Sequence, residues 1–181
     1  ASSVHGINNS TYSWDNGMAT DSIYGLSAGT YVVSGPVTEK EILKMANVIS
    51  RRKFSRGRQF NCADDVRDYL QCIMQNEERE IFGMLCVDSQ HRLIGRFELF
   101  YGTINAAAVY PREVVKKALN ENASAVILFH NHPSGLSNPS DADIRLTRDL
   151  KTALATVDID VLDHFIVGRD DTASLAQRGL M

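Results

Sequence analysis

The hydrophobic positions alternate between two periods, and the switches between them divide the chain into elements. Thr38-x-x-Glu41 has the form of a capping box, and Ile42, Leu43, Ala46, Val48 and Ile49 follow at helical spacing. A second helix is expected over about Ala63 to Gln75, with Val66, Tyr69, Leu70 and Ile73 on one face. Ile81–Val87 reads as a buried strand, Asp88-Ser89-Gln90-His91 as a turn, and Arg92–Tyr101 as the antiparallel return strand. Pro111 suits the first turn of a helix carrying Val114, Val115, Ala118 and Leu119. The apolar run Ala125–Phe129 ends in His130-Asn131-His132 and is closed by Pro133-Ser134-Gly135, which marks a strand. A helix opens at Pro139-Ser140-Asp141 and continues through Ile144, Leu146, Leu150, Ala153 and Leu154, and Val161–Val167 forms a last strand.

The candidate chemistry gathers where the Ala125–Phe129 strand ends. Residues two apart on a strand share a face, so His130 and His132 project together and Asn131 points away. Asp143 falls in the first turn of the following helix, and the short loop lets it fold back onto the histidines. Two neutral imidazoles and one carboxylate leave the fourth position of a tetrahedral zinc open, as catalytic zinc sites do. A simpler reading exists for each part. Ser140-x-x-Asp143 also fits a helix start, with Ser140 as N-cap and an acid favoured by the helix dipole. The two readings are compatible, because capping fixes the helix start that carries the ligand.

Composition narrows the class. The 181 residues are 44% hydrophobic and 23% charged, ordinary for a soluble globular domain, and the formal net charge of −3 offers no general attraction for nucleic acid. Cys62, Cys72 and Cys86 include no Cys-x-x-Cys pair, so reduced thiols in a cytoplasmic protein are expected. No apolar run reaches the length of a membrane span, and the N-terminal residues contain no basic leader or apolar segment of a secretory signal. Residues 1–36 are rich in Ser, Gly, Asn and Thr and read as an irregular tail, with Tyr31-Val32-Val33 open to a short strand. Residues 37–60 read as a helix and basic connector. Its cations Arg51, Arg52, Lys53, Arg56 and Arg58 suit a solvated helix end, with weak phosphate contact as the alternative.

The spacing His130-x-His132, seven residues, Ser140, two residues, Asp143 resembles the JAMM motif of MPN-domain zinc metalloproteases. The words GTINAAAVYPREVVKKAL (102–119), HNHPSGLSNPSDAD (130–143), VLDHFIVG (161–168) and the closing SLAQRGLM resemble the bacterial RadC-like branch over about residues 61–181. Residues 1–36 show no resemblance to the helix-hairpin-helix region of RadC proteins, which weakens an inference to DNA. The resemblance implies an α/β fold, an MPN domain with a mixed sheet between helices, related to the cytidine-deaminase architecture. It implies Zn²⁺ on His130, His132 and Asp143, and a metallopeptidase or isopeptidase in which a glutamate activates the zinc-bound water. The alternatives are a DNA-repair-associated protein acting on nucleic acid and a non-catalytic zinc scaffold.

The acid–base group is less plain. Glu80, Glu98 and Glu113 all qualify by position, and Glu78 is close enough to confuse the register. Glu98 alternates with Phe97 and Leu99, which places it on the opposite face, and Glu113 has a sufficient role at a helix start. Glu78-Arg79-Glu80-Ile81-Phe82 resembles the family's approach to its first core strand, which assigns the catalytic role to Glu80. By the same resemblance Ser140 donates to the developing oxyanion. His164 reads as a structural or supporting residue, and His5 and His91 have no evident role.

Overall fold

A computed structural model describes residues 38, 40–42, 44–46, 48, 56, 57, 59, 60, 62–102 and 109–181. The expectations for the tail (1–36) and for Arg51, Arg52, Lys53 and Arg58 lie outside the described residues; Arg56 is exposed. The chain divides between Ile49 and Ser50 into two compact units. In the first, the Thr38 box is made: Thr38 N donates to Glu41 Oε2 at 2.8 Å, Glu41 N donates to Thr38 Oγ1 at 3.3 Å, and the residues described from Lys40 to Val48 are helical.

Among its described residues the second unit contains three helices, α1 (Ala63–Met74), α2 (Pro111–Asn120) and α3 (Asp141–Ala155), and five strands. These are β1 (Ile81–Val87), β2 (Leu93–Tyr101), β3 (Ala125–Asn131), β4 (Asp160–Val167) and β5 (Thr172–Ser174). The expected elements all form, and β5 is an addition of three residues, too short to show a period. The strands make one sheet in the order β2-β1-β3-β4-β5, with β3 and β4 parallel and the other pairs antiparallel. α3 provides the crossover that a parallel pair requires. The result is a mixed sheet with α1 on one face and α2 and α3 on the other. Among the described residues, no helix is long and apolar enough to cross a membrane.

β1 and β3 are buried along their whole length, which is why they read as unbroken apolar runs rather than alternating ones. Their side chains still sort by parity. Phe82, Met84, Cys86, Val126 and Leu128 face α2 and α3, together with Val114, Ala118, Leu150 and Leu154. Leu85, Ile127, Phe129 and Phe165 face α1 and pack on Val66, Leu70 and Met74. At Gly83 a side chain has no room, because the Phe129 ring and the Phe97 carbonyl already occupy the position of a Cβ. A register shift between Phe82 and Gly83 sits at the same place.

Candidate metal centre

β3 ends in the three residues that matter most. His130 and His132 lie on the α3 face of the sheet and Asn131 on the α1 face. After His132 the chain must turn back over the strand tip to start α3. Gly135 takes φ +84°, a conformation that costs glycine least, and its N donates to His132 O at 2.9 Å. The loop is then held against the β4–β5 turn. Arg169 N donates to Gly135 O at 2.9 Å, and Ser137 Oγ donates to Asp171 Oδ2 at 3.0 Å. Gly168 permits this approach: a Cβ there would stand 2.6 Å from Gly135 O and 2.9 Å from Ser137 N.

The loop delivers Ser140 to the N-cap of α3. Ser140 Oγ accepts from Asp143 N at 3.2 Å, and Ser140 N donates to Asp143 Oδ2 at 2.7 Å, completing the capping box. The serine hydroxyl donates its own proton to Asp143 Oδ2 at 2.7 Å. Donation to an oxyanion therefore requires the hydroxyl to turn away from Asp143. Two donors saturate Oδ2 and leave Oδ1 as the freer oxygen, 3.3 Å from His130 Nε2. Asp143 Oδ2 lies 3.5 Å from His132 Nε2, and the two Nε2 atoms are 3.0 Å apart. A tetrahedron with metal–ligand bonds of ~2.0–2.1 Å has edges of roughly 3.3–3.4 Å, so the spacing fits a single ion.

The protonation states point the same way. Burial opposes charge on Asp143, yet bonds with His130, His132 and Ser140 hold its carboxyl well below the usual carboxylate range. His132 Nδ1 lies 2.8 Å from Leu136 O, a carbonyl that can only accept, so Nδ1 carries a proton and Nε2 faces Asp143, where it can take a second proton or a metal. The Asp143 carboxylate raises the pKa of His132, burial opposes the rise, and the Leu136 carbonyl and the charge of Glu80 add to it. Electron-rich atoms packed this closely need a cation among them, and the donor set suits zinc. Among the described residues, His130, His132 and Asp143 form the only such cluster, and none of the three cysteines joins it. Cys86 is buried, and burial with the nearby Glu121 pushes its thiol up to about 12.

The glutamates separate by register. β1 and β3 pair from Phe82 opposite His130, and extending that register two residues past its last pair points Glu80 toward His132. Glu80 is half-buried and close enough for its charge to act on His132. Glu98 pairs with Gly83, which pairs with Phe129, so Glu98 stands on the far face, bonded to Arg96 at 2.7 Å and to Tyr101 Oη at 3.0 Å. Glu113 is exposed beside Arg112 at the start of α2, and Glu78 is exposed.

Two supporting residues, Asn131 and Thr147, escaped the sequence reading, and His164 takes the supporting place expected of it. Asn131 Oδ1 accepts from Ile81 N at 2.8 Å, and its Nδ2 donates to Arg79 O at 2.8 Å and Glu77 O at 3.3 Å, clamping the segment that carries Glu80. His164, fully buried on β4, places Nε2 2.8 Å from His130 Nδ1. Thr147, one helical turn after Asp143, places Oγ1 2.6 Å from His164 Nδ1. Only the helical spacing of Thr147 from Asp143 was a signal available in advance. A cavity of about 400 Å³ lies on the α1 side of the sheet, lined by Phe60, Val66, Ile127, Phe165 and Asp163, and no candidate ligand borders it.

Comparison with known proteins agrees with this architecture. Residues 60–180 match the RadC-like JAB domain family. A UPF0758 protein of Alteromonas mediterranea is 54% identical over 129 residues, 71% of this chain and 57% of that protein. A UPF0758 protein of Vibrio cholerae is 50% identical over 149 residues, 82% of this chain and 94% of that protein. One from Methylibium petroleiphilum is 49% identical over 150 residues, 81% of this chain and 68% of that protein. The chain thus spans little more than half of the Alteromonas relative and nearly all of the Vibrio one. With this sheet, this loop and this cluster of ligands, the chain belongs to the RadC-like JAB domains of the JAMM/MPN superfamily.

Proposed function

We propose that the domain is a zinc-dependent hydrolase that cuts an amide bond in a peptide or isopeptide. The observation that carries the reading is the close convergence of two imidazole Nε2 atoms and a carboxylate, with Glu80 near enough for its charge to act on His132. A zinc ion held by His130, His132 and Asp143 would supply Lewis acidity, acidifying a water and polarising a carbonyl.

The remaining chemistry belongs to the chain. Glu80 accepts the proton of the attacking water and passes it to the leaving amine, the two tasks of a general base that becomes a general acid. The Asn131 clamp on Arg79 and Ile81 holds the residue between them, and Glu80 is not one of the clustered ligand candidates. Ser140 has two states available. Bonded to Asp143, it orients the ligand; turned toward substrate, its hydroxyl donates to the growing oxyanion.

The test is a screen of zinc-reconstituted protein against peptide, isopeptide and nucleic-acid substrates, with Glu80→Gln beside the wild type. Amide cleavage that falls by roughly 10²–10⁴-fold in Glu80→Gln, with zinc content unchanged, is the expected result. Phosphodiester cleavage without amide cleavage would move the activity to nucleic acid. Wild-type protein that takes up zinc and turns over none of the substrates would favour a binding scaffold.

A further inference from the structure

One chain of hydrogen bonds behind the centre has a single consistent assignment of protons. It begins at the Asp143 carbonyl, which can only accept, so the Thr147 hydroxyl 2.6 Å away must donate to it. That uses the only proton of the hydroxyl. Thr147 Oγ1 must then accept from His164 Nδ1, 2.6 Å away. With its proton on Nδ1, a neutral His164 has a lone pair on Nε2 and must accept from His130 Nδ1 at 2.8 Å. His130 in turn carries its proton on Nδ1 and directs the lone pair of Nε2 toward Asp143 and His132.

We infer that Thr147 and His164 are positioning residues that set the tautomer of His130, presenting Nε2 as a ready ligand before any metal arrives. The inference rests on the metal-centre reading only for its purpose, since the tautomer is a property of the metal-free chain. Three observations support it. His164 is 0% exposed and His130 is 2% exposed, so water cannot substitute for either partner. The polar partners of the His164 ring are Thr147 Oγ1 and His130 Nδ1, neither of them an anion, so the buried ring is accommodated uncharged and the chain runs in one direction. Phe82, itself buried, lies against both rings, 5.7 Å from His164 edge-on and 6.2 Å from His130 in stacked orientation, and fixes their planes.

The chain also links elements that ligate separately. His130 comes from β3 and Asp143 from α3, and the relay joins the ring of one to the backbone of the other through β4. His132 needs no such relay, because the Leu136 carbonyl in its own loop sets its tautomer directly. The buried ligand is set by side chains, and the half-buried one by backbone.

The experiment uses the full chain labelled with ¹⁵N on histidine, observed metal-free by long-range ¹H–¹⁵N correlation and then titrated with zinc. Wild type, Thr147→Val and Thr147→Ser are compared, with His164→Gln as a fourth variant. The expected wild-type spectrum shows His130 and His164 protonated on Nδ1. Thr147→Val, which keeps shape and removes the acceptor, should mix the tautomers of His164 and His130 and weaken zinc binding by roughly 10–100-fold. Thr147→Ser should restore both, which a packing role for the threonine methyl would not predict. If His164→Gln fails to fold, the threonine pair still decides. His130 protonated on Nε2 in metal-free wild type, or Thr147→Val with unchanged tautomers and zinc affinity, overturns the inference. A wild type with the expected tautomers that binds no zinc would leave the inference standing and overturn the metal-centre reading instead.

Discussion

The two faces of the sheet meet at adjacent residues of β3 and use them differently. On the α3 face the apolar row Val126, Leu128 ends in His130, whose ring is surrounded by His164, Phe82 and the Asp143 carboxylate. On the α1 face the row Ala125, Ile127, Phe129 ends in Asn131, whose amide takes three backbone groups at the approach to β1. One face gathers the His130, His132 and Asp143 cluster and the other holds the segment that carries Glu80. The alternation of a β-strand makes this division possible, because neighbouring residues can serve opposite faces without competing for space. Polar groups are buried on both sides at the strand end, and among the described residues no buried side-chain polar atom lacks a partner.

The comparison breaks most severely at the ligands. Asp143→Ala removes the carboxylate and should abolish stoichiometric zinc binding while the α1 face keeps its packing. Elemental analysis of the dialysed variant, with circular dichroism for the fold, checks this, and zinc retained through any cysteine would refute the ligand set.

Asn131→Ala should do the reverse. It leaves the Ile81 N–H buried without its acceptor, a loss of about 1–3 kcal/mol in a denaturant titration. Zinc should remain bound, because neither histidine depends on the amide. Turnover should fall with the displacement of Glu80. Loss of zinc in step with stability would show that the two faces are not separable.

Ser140→Ala sharpens the comparison within the ligand face. The cap and one donor to Asp143 are lost, costing about 1 kcal/mol of stability. Zinc binding should weaken less than in Asp143→Ala, since the carboxylate itself stays in place. Equal loss in both variants would make the serine a ligand in its own right.

The smallest effect is in pH. The folded pKa of His132 is raised above its ordinary value of 6.5. The stabilisation from that proton is fully present below the ordinary value and is lost as pH rises through the raised one. Metal-free protein should therefore melt lower on the alkaline side of this window. Saturating zinc, which competes with the same proton, should stabilise more as pH rises. A melting temperature of metal-free protein that rises across the window would contradict the assignment.

The periodic elements could be read from the chain because each is specified by local pattern. The run Ala125–Phe129, the Ser140–Asp143 box and Pro111 at a helix start all have meaning within a few residues. The same holds for the two histidines and the acid, whose spacing is a property of one strand, one loop and one helix start. Glu98 was set on the opposite face from alternation alone, and its register with Gly83 and Phe129 places it there.

What the sequence by itself determined, then, is the set of elements, the shared face of His130 and His132, and the position of Asp143 in the first turn of α3. Pairing across the sheet decided the rest. Glu80 comes near His132 through a β1–β3 pairing that joins residues about fifty positions apart, and Asn131 acts on groups just as distant in the chain. His164 reaches His130 only because β3 and β4 lie parallel and adjacent, and Thr147 reaches His164 only because α3 crosses over them. Local spacing fixes which way a side chain points along its own element. Which partner it meets there depends on how the strands are ordered, and that order is chosen by burying both faces of the sheet at once.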